Sequence, residues 1–136
     1  MKRKDFIQTL GTASVLGLAS SKLMAASGIK KTKKVYFHYL LFWLKPGLSE
    51  TEVADFAQFF EGLKKLPYVK NVRYGKPAAS SPRAVLDNSF SYNASMEFDS
   101  LEELEAYGKL PAHLALVAKY KPYFEKMMVH DTVFEG

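Results

Sequence analysis

Three side chains in the last third of the sequence could carry out proton chemistry together: Tyr107, His113 and Asp131. The unperturbed charge change of histidine falls in the physiological range, so an imidazole within reach of a phenol and a carboxylate is a candidate acid/base site. A carboxylate accepting a hydrogen bond from one ring nitrogen fixes the tautomer and leaves the other nitrogen to move a proton. The plainer reading is a helix-start histidine satisfied by an aromatic residue one turn away, and for these three residues alone that reading comes first.

The elements that must position these groups follow from periodicity. Residues 34–44 are β-branched and aromatic and read as a strand, closed by the turn residues Lys45, Pro46 and Gly47. Ser49 with Glu52 forms a capping box, and Val53, Phe56, Phe60 and Leu63 then recur at helical spacing up to Pro67. A second strand is expected over 69–76 and a loop over 77–88. Phe90, Tyr92, Ala94, Met96 and Phe98 alternate with polar residues, the pattern of a half-buried strand. Asp99 and Ser100 can cap a helix carrying Leu101, Leu104 and Tyr107. That helix breaks near Gly108 and Pro111, and resumes through Leu114, Val117 and Tyr120 until Pro122. A closing strand is expected over 127–134. Asp131 shares its strand face with Met127 and Val129, so its carboxylate should point inward, where a charge needs a partner. His113 is the expected partner.

The first strand carries a further implication. Its even positions (Tyr36, His38, Leu40, Phe42) and its odd positions (Val35, Phe37, Tyr39, Leu41, Trp43) are both apolar. A sheet covered by helices on one face needs one apolar face, so the second implies another protein surface, most economically a second copy of the chain.

Composition narrows the chemistry. With 136 residues, 48% of them hydrophobic and 14% aromatic, the chain suffices for one domain with a core. The absence of cysteine removes disulfides, thiol nucleophiles, thiolate metal sites and a lipoprotein anchor. His38, His113 and His130 are not spaced as a metal motif, and neither a metal nor a cofactor is expected. Residues 1–27 have a basic start (Lys2, Arg3, Lys4), a short apolar run from Leu10 to Ala19 and small residues at Ala25, Ala26 and Ser27, the pattern of an export signal cleaved near 25–28. The apolar run is about half of the ~20 residues that span a bilayer, so no stable membrane anchor is expected. RKDFIQ is similar to a twin-arginine signal with Lys4 in place of the second arginine, leaving twin-arginine export and general secretion both open. A tail retained in the cytoplasm is the competing reading. Removing this segment takes away four basic side chains (Lys2, Arg3, Lys4, Lys22) and one acid (Asp5), lowering the net charge from +5 to +2. The lysines that follow, at 30, 31, 33 and 34, belong to a basic linker over 28–34 without interleaved aromatics, which gives no case for nucleic-acid binding.

The element order, the opening HYLLFWLKPGLSE, the later FDSLEELEAYGKLPAH and a closing strand ending in Asp131 resemble the stress-responsive A/B barrel (Dabb) domain over residues 35–136. The resemblance implies an α+β, ferredoxin-like βαββαβ fold whose four-stranded antiparallel sheet packs against that of a second subunit to form an α/β barrel. Plant polyketide cyclases of this family use a tyrosine and a histidine, which fall on Tyr107 and His113, with the supporting aspartate on Asp131. The resemblance places the ligand pocket at His38, Leu40, Phe42, Phe56, Phe60, Ala94, Phe124 and Met127, although Leu110 and Phe60 depart from the polar residues those cyclases carry. The expectation is an exported, periplasmic homodimer that binds a small apolar or aromatic molecule between sheet and helices. One alternative is a cofactor-independent lyase or cyclase, in which His113 moves a proton, Tyr107 donates to a developing enolate and Asp131 orients the imidazole. The other is a structural stress protein without a ligand.

Overall fold

The computed structural model describes residues 33–136; the segment expected to direct export, 1–27, and most of the linker lie outside the described residues. The chain forms β1 (Lys34–Leu44), α1 (Glu50–Leu63), β2 (Lys70–Gly75), β3 (Tyr92–Phe98), α2 (Leu101–Lys109), α3 (Pro111–Tyr120), a 3₁₀ turn (Lys121–Tyr123) and β4 (Phe124–Glu135). The sheet order is β2-β3-β1-β4 with every neighbouring pair antiparallel, so two split βαβ units interleave as the ferredoxin-like reading requires. Lys34, where the expected linker and the expected strand meet, is the first residue of β1 and lies 3.9 Å from Glu135 of the last strand.

Local chemistry accounts for the boundaries. Ser49 Oγ accepts from the Glu52 amide and the Glu52 carboxylate accepts from the Ser49 amide, closing the capping box that starts α1. Ser100 Oγ accepts from the Glu103 amide and starts α2 in the same manner. Gly47, with φ of 87°, turns the chain out of β1 in the left-handed region that glycine adopts without steric cost. Asn71, with φ of 51°, lies where the β2–β3 register slips between Lys70 and Arg73. The closing strand starts three residues earlier than expected because Pro122 ends the helical path within the 3₁₀ turn.

The core lies between the sheet and the helices. Phe42, at the centre of β1, contacts the rings of Phe56, Phe59, Phe60 and Phe124 at centroid distances of 5.2–5.8 Å. Phe56 continues this cluster to Tyr92, Tyr120 and Tyr123. Strand β3 alternates strictly between buried and half-buried residues, with Tyr92, Ala94, Met96 and Phe98 facing the helices.

The opposite face of the sheet carries Val35, Phe37, Tyr39, Leu41 and Trp43 from β1, with Met128 and Phe134 from β4. No described element covers it, and Phe134 is 50% exposed. Phe37 packs edge-on against Phe134 at 5.3 Å, and the Lys126 ammonium sits 4.4 Å over the Trp43 ring. Toward β3 the face becomes polar, where Asn93 Nδ2 donates to the Tyr39 hydroxyl at 3.0 Å.

Because Phe56 is fully buried and touches seven other rings, its truncation leaves a cavity that flanking aromatics cannot close. Phe56→Ala should destabilise the domain by about 3–5 kcal/mol, read from the denaturant midpoint at constant m-value. A loss under about 1 kcal/mol would show that the ring cluster does not hold the layers together.

Candidate functional site

The break between α2 and α3 places the first imidazole. Leu110 is extended (φ −60°, ψ 133°), and Pro111 occupies the first position of α3, where its missing N–H costs nothing. His113 therefore falls in the first turn of α3. Its Nδ1 lies 3.2 Å from the Gly108 carbonyl, one of the oxygens that the end of α2 leaves without a helical partner. That contact makes Nδ1 the donor and leaves Nε2 with its lone pair.

Tyr107, 2% exposed, lies beneath this break. Its ring is 4.7 Å from His113, 4.9 Å from Phe98 and 6.4 Å from His38 by centroids, so both imidazoles neighbour the phenol ring. Among the described residues its hydroxyl is a buried polar atom with no hydrogen-bond partner. Buried hydroxyls are seldom left so, since an unmade bond costs about 1–3 kcal/mol.

Pairing of β1 with β4 sets the second imidazole. Residue 38 lies directly across from residue 131, and His38 Nδ1 donates to Asp131 Oδ1 at 2.5 Å. The His38 side chain is 15% exposed and that of Asp131 49%, so the pair runs from the interior to the surface. The carboxylate fixes the His38 tautomer and leaves Nε2 as the free edge of a ring that lines the cavity.

The cavity has a volume of about 190 Å³. Its walls are His38 and Leu40 from β1, Phe59 and Leu63 from α1, Leu104, Tyr107 and Gly108 from α2, His113 and Val117 from α3, and Met127 and Val129 from β4. Apart from the two imidazoles and the phenol the lining is apolar, the composition of a small-molecule site. Burial pushes the Tyr107 hydroxyl well above its ordinary range, so it is a neutral donor. Burial also lowers the His113 pKa below its ordinary 6.5, with a smaller push in the same direction from His38, against an opposing effect from the Gly108 hydrogen bond. The His113 imidazole is therefore neutral at pH 7 and can accept a proton at Nε2. Among the described residues no three His, Asp or Glu side chains gather as a metal site. A wider depression of about 490 Å³ beside the start of α1, lined by residues including Glu50, Lys76 and Tyr92, brings together no comparable acid/base groups.

The structure brings Tyr107 and His113 together as the sequence suggested, but Asp131 is bonded to His38 rather than to His113. The reason is register: cross-strand neighbours reach each other directly, whereas His113 lies on a helix and bonds the Gly108 carbonyl. Three of the eight expected pocket residues, His38, Leu40 and Met127, line the cavity. Phe42, Phe56, Phe60 and Ala94 do not, being packed to 0–1% exposure in the core, and Phe124 packs against that core from the end of β4. The lining residues missed from sequence are Phe59, Leu63, Leu104, Gly108, Val117 and Val129. Adjacency of β1 and β4, which follows from the βαββαβ order, would have revealed the His38–Asp131 pair.

A four-stranded antiparallel sheet backed by helices on one face, with this cavity between the layers, is a ferredoxin-like α+β architecture. Residues 37–134 match the model of the stress-responsive A/B barrel (Dabb) domain, and the chain belongs to that family. Olivetolic acid cyclase from Cannabis sativa is 22% identical over 95 residues, covering 69% of this chain and 91% of the cyclase. Among solved structures, the hydroxynitrile lyase from Passiflora edulis superposes with a TM-score of 0.63 at 18% identity, covering 74% of this chain and 93% of the lyase. A dimeric ferredoxin-like protein of unknown function from Thermobifida fusca superposes with a TM-score of 0.61 at 16% identity, covering 78% of this chain and 96% of its own.

Removing the unpartnered hydroxyl should not harm the fold. Tyr107→Phe is expected to leave the unfolding free energy unchanged or to raise it by up to about 1–3 kcal/mol. A loss of more than about 1 kcal/mol would mean that the hydroxyl has a bonded partner in the folded state.

His113 predicts a pH dependence of the opposite kind to that of a paired histidine. Its folded-state pKa lies below the unfolded value near 6.5, so its contribution to stability is full above that value and lost as pH falls through the folded pKa. An NMR titration should place its midpoint below 6.5, and His113→Gln should flatten the acid side of the stability profile. A midpoint above 6.5 would contradict the buried, neutral imidazole.

Proposed function

We propose that this chain is an exported homodimer that binds a small apolar or aromatic molecule in the cavity between sheet and helices. The observation that carries the reading is Tyr107, which lines an apolar cavity together with two imidazoles and whose buried hydroxyl has no partner among the described residues. A ligand oxygen accepting from that hydroxyl would complete its bonding. The volume of 190 Å³ suits one aromatic ring with a small substituent, since a dry cavity of ~150 Å³ holds benzene.

A specific observation favours a second reading, cofactor-independent acid/base catalysis of the lyase or cyclase kind. His113 is neutral with Nε2 free, and the phenol beside it is a donor suited to a developing oxyanion. In this reading His113 removes a proton, Tyr107 hydrogen-bonds to the oxygen that gains charge, and the Asp131-held His38 supplies a second oriented imidazole on the cavity wall. The names of the cyclase and the lyase to which the chain is similar support this class without naming a substrate.

Dimerisation is supported by the uncovered aromatic face of β1 and β4 and by the dimeric ferredoxin-like relative. Export to the periplasm or beyond is supported by the composition of residues 1–27.

Extraction of natively purified protein followed by mass spectrometry should recover a small apolar molecule that Tyr107→Phe and His113→Ala no longer retain. Recovery of none, together with failure of the wild type to bind single-ring aldehydes or phenols at millimolar concentration, would put the ligand-free stress protein in its place. Light scattering at micromolar concentration should give the dimer mass, with a sheet-to-sheet interface burying about 1,200–2,000 Å². A folded monomer under those conditions would refute the dimer, and full-length protein confined to the cytoplasm of the native host would refute export.

A further inference from the structure

We propose that Gly108 determines which molecules the cavity accepts. By carrying no side chain it reserves room beside Tyr107 and His113 for a substituent on the ligand, so the ligand is larger there than a bare ring. This inference rests on the reading of the cavity as a binding site.

Glycine at this position has no backbone explanation. Gly108 lies within the last turn of α2 and, unlike Gly47 and Gly136, is not among the glycines with positive φ. It stands two residues before the C-cap Leu110, not at the position past a helix where glycine is favoured. Within a helix, glycine is less favourable than alanine by up to about 1 kcal/mol. Close packing does not explain it either. A Cβ at Gly62, where α1 faces α3, would lie 2.9 Å from Leu116 Cδ2, so a side chain there would displace that leucine. A Cβ at Gly108 would meet nothing within 4 Å.

What remains is the cavity, whose wall Gly108 forms with Leu104, Tyr107 and His113. Leu104 and Gly108 are four residues apart on α2 and both line the cavity, so a side chain at 108 would lie on the same helix face as Leu104, where the space is open and the volume of 190 Å³ exceeds the ~150 Å³ that accommodates benzene. Gly108 holds His113 through its backbone carbonyl. A side chain added there changes the room in the cavity without removing the atom that orients the imidazole.

The test is calorimetric titration of phenol and 4-propylphenol into the full dimer carrying Gly108, Gly108→Ala or Gly108→Leu. Both probes offer an oxygen to Tyr107 and the imidazoles, and they differ in the apolar room they need. The preference for 4-propylphenol over phenol should fall by at least about tenfold in Gly108→Leu and by an intermediate factor in Gly108→Ala. The melting temperature of Gly108→Ala should equal or exceed that of the wild type, a gain in helix propensity at the cost of ligand size that a purely structural glycine would not show. If Gly108→Leu does not fold, Gly108→Ala carries the test alone. Phenol binding with an unchanged preference across the variants would overturn the role of Gly108 and leave the binding site standing. Failure of the wild type to bind either probe would overturn both.

Discussion

The register of β1 between its two neighbours is the constraint on which the site depends. β1 pairs with β3 on one side and with β4 on the other, and side chains along it alternate between the faces of the sheet. This places His38, Leu40 and Phe42 under the helices and Phe37, Tyr39 and Leu41 on the opposite side. A slip of one residue would exchange these sets, moving the imidazole out of the cavity and a phenol into the core. Both faces of β1 are apolar, so hydrophobicity along this strand does not by itself select the register. The strict alternation of β3, with Asn93, Ser95 and Glu97 kept off the helix side, supplies the missing selection.

On that frame the cavity is a meeting of groups whose bonding is settled to different degrees. His38 is committed to Asp131 at one nitrogen, and His113 to a backbone carbonyl at one nitrogen. The hydroxyl of Tyr107, whose ring neighbours both, has no hydrogen-bond partner among the described residues. Each imidazole therefore presents one unoccupied nitrogen, and the phenol presents a donor held neutral by burial. The apolar wall from Leu40, Phe59, Leu63 and Val117 keeps the dielectric low, where such groups act more strongly than in water.

Much of this was legible in the sequence, for physical reasons that differ from residue to residue. The Ser49–Glu52 box, the alternation of Tyr92, Ala94, Met96 and Phe98, and the stop at Leu110–Pro111 are local signals, and each formed the element it encoded. The proximity of Tyr107 to His113 was legible because a short step across a helix break leaves few alternatives. The partner of Asp131 was not, because its inward direction follows from alternation whereas its neighbour follows from strand order. Phe42, Phe56 and Phe60 were expected to line the pocket and instead fill the core. Composition does not separate these roles, since aromatic rings that pack against one another and rings that leave space between them have the same hydrophobicity. Gly108 illustrates the converse, a residue whose contribution is a volume it does not occupy.

The His38–Asp131 bond joins positions 93 residues apart, near the two ends of the folded domain. Closing a loop of that length costs entropy that grows with the logarithm of its size, and it is recovered only when β4 pairs along β1. The aromatic layer of α1 against β1 and β3 comes from a shorter stretch of chain and needs none of β4 beyond Phe124. Productive geometry at the cavity is thus tied to completion of the sheet. A chain whose final strand has detached retains most of its hydrophobic layer but loses the carboxylate that orients one imidazole and the Met127–Val129 wall. Opening of that edge would switch the site off well short of global unfolding.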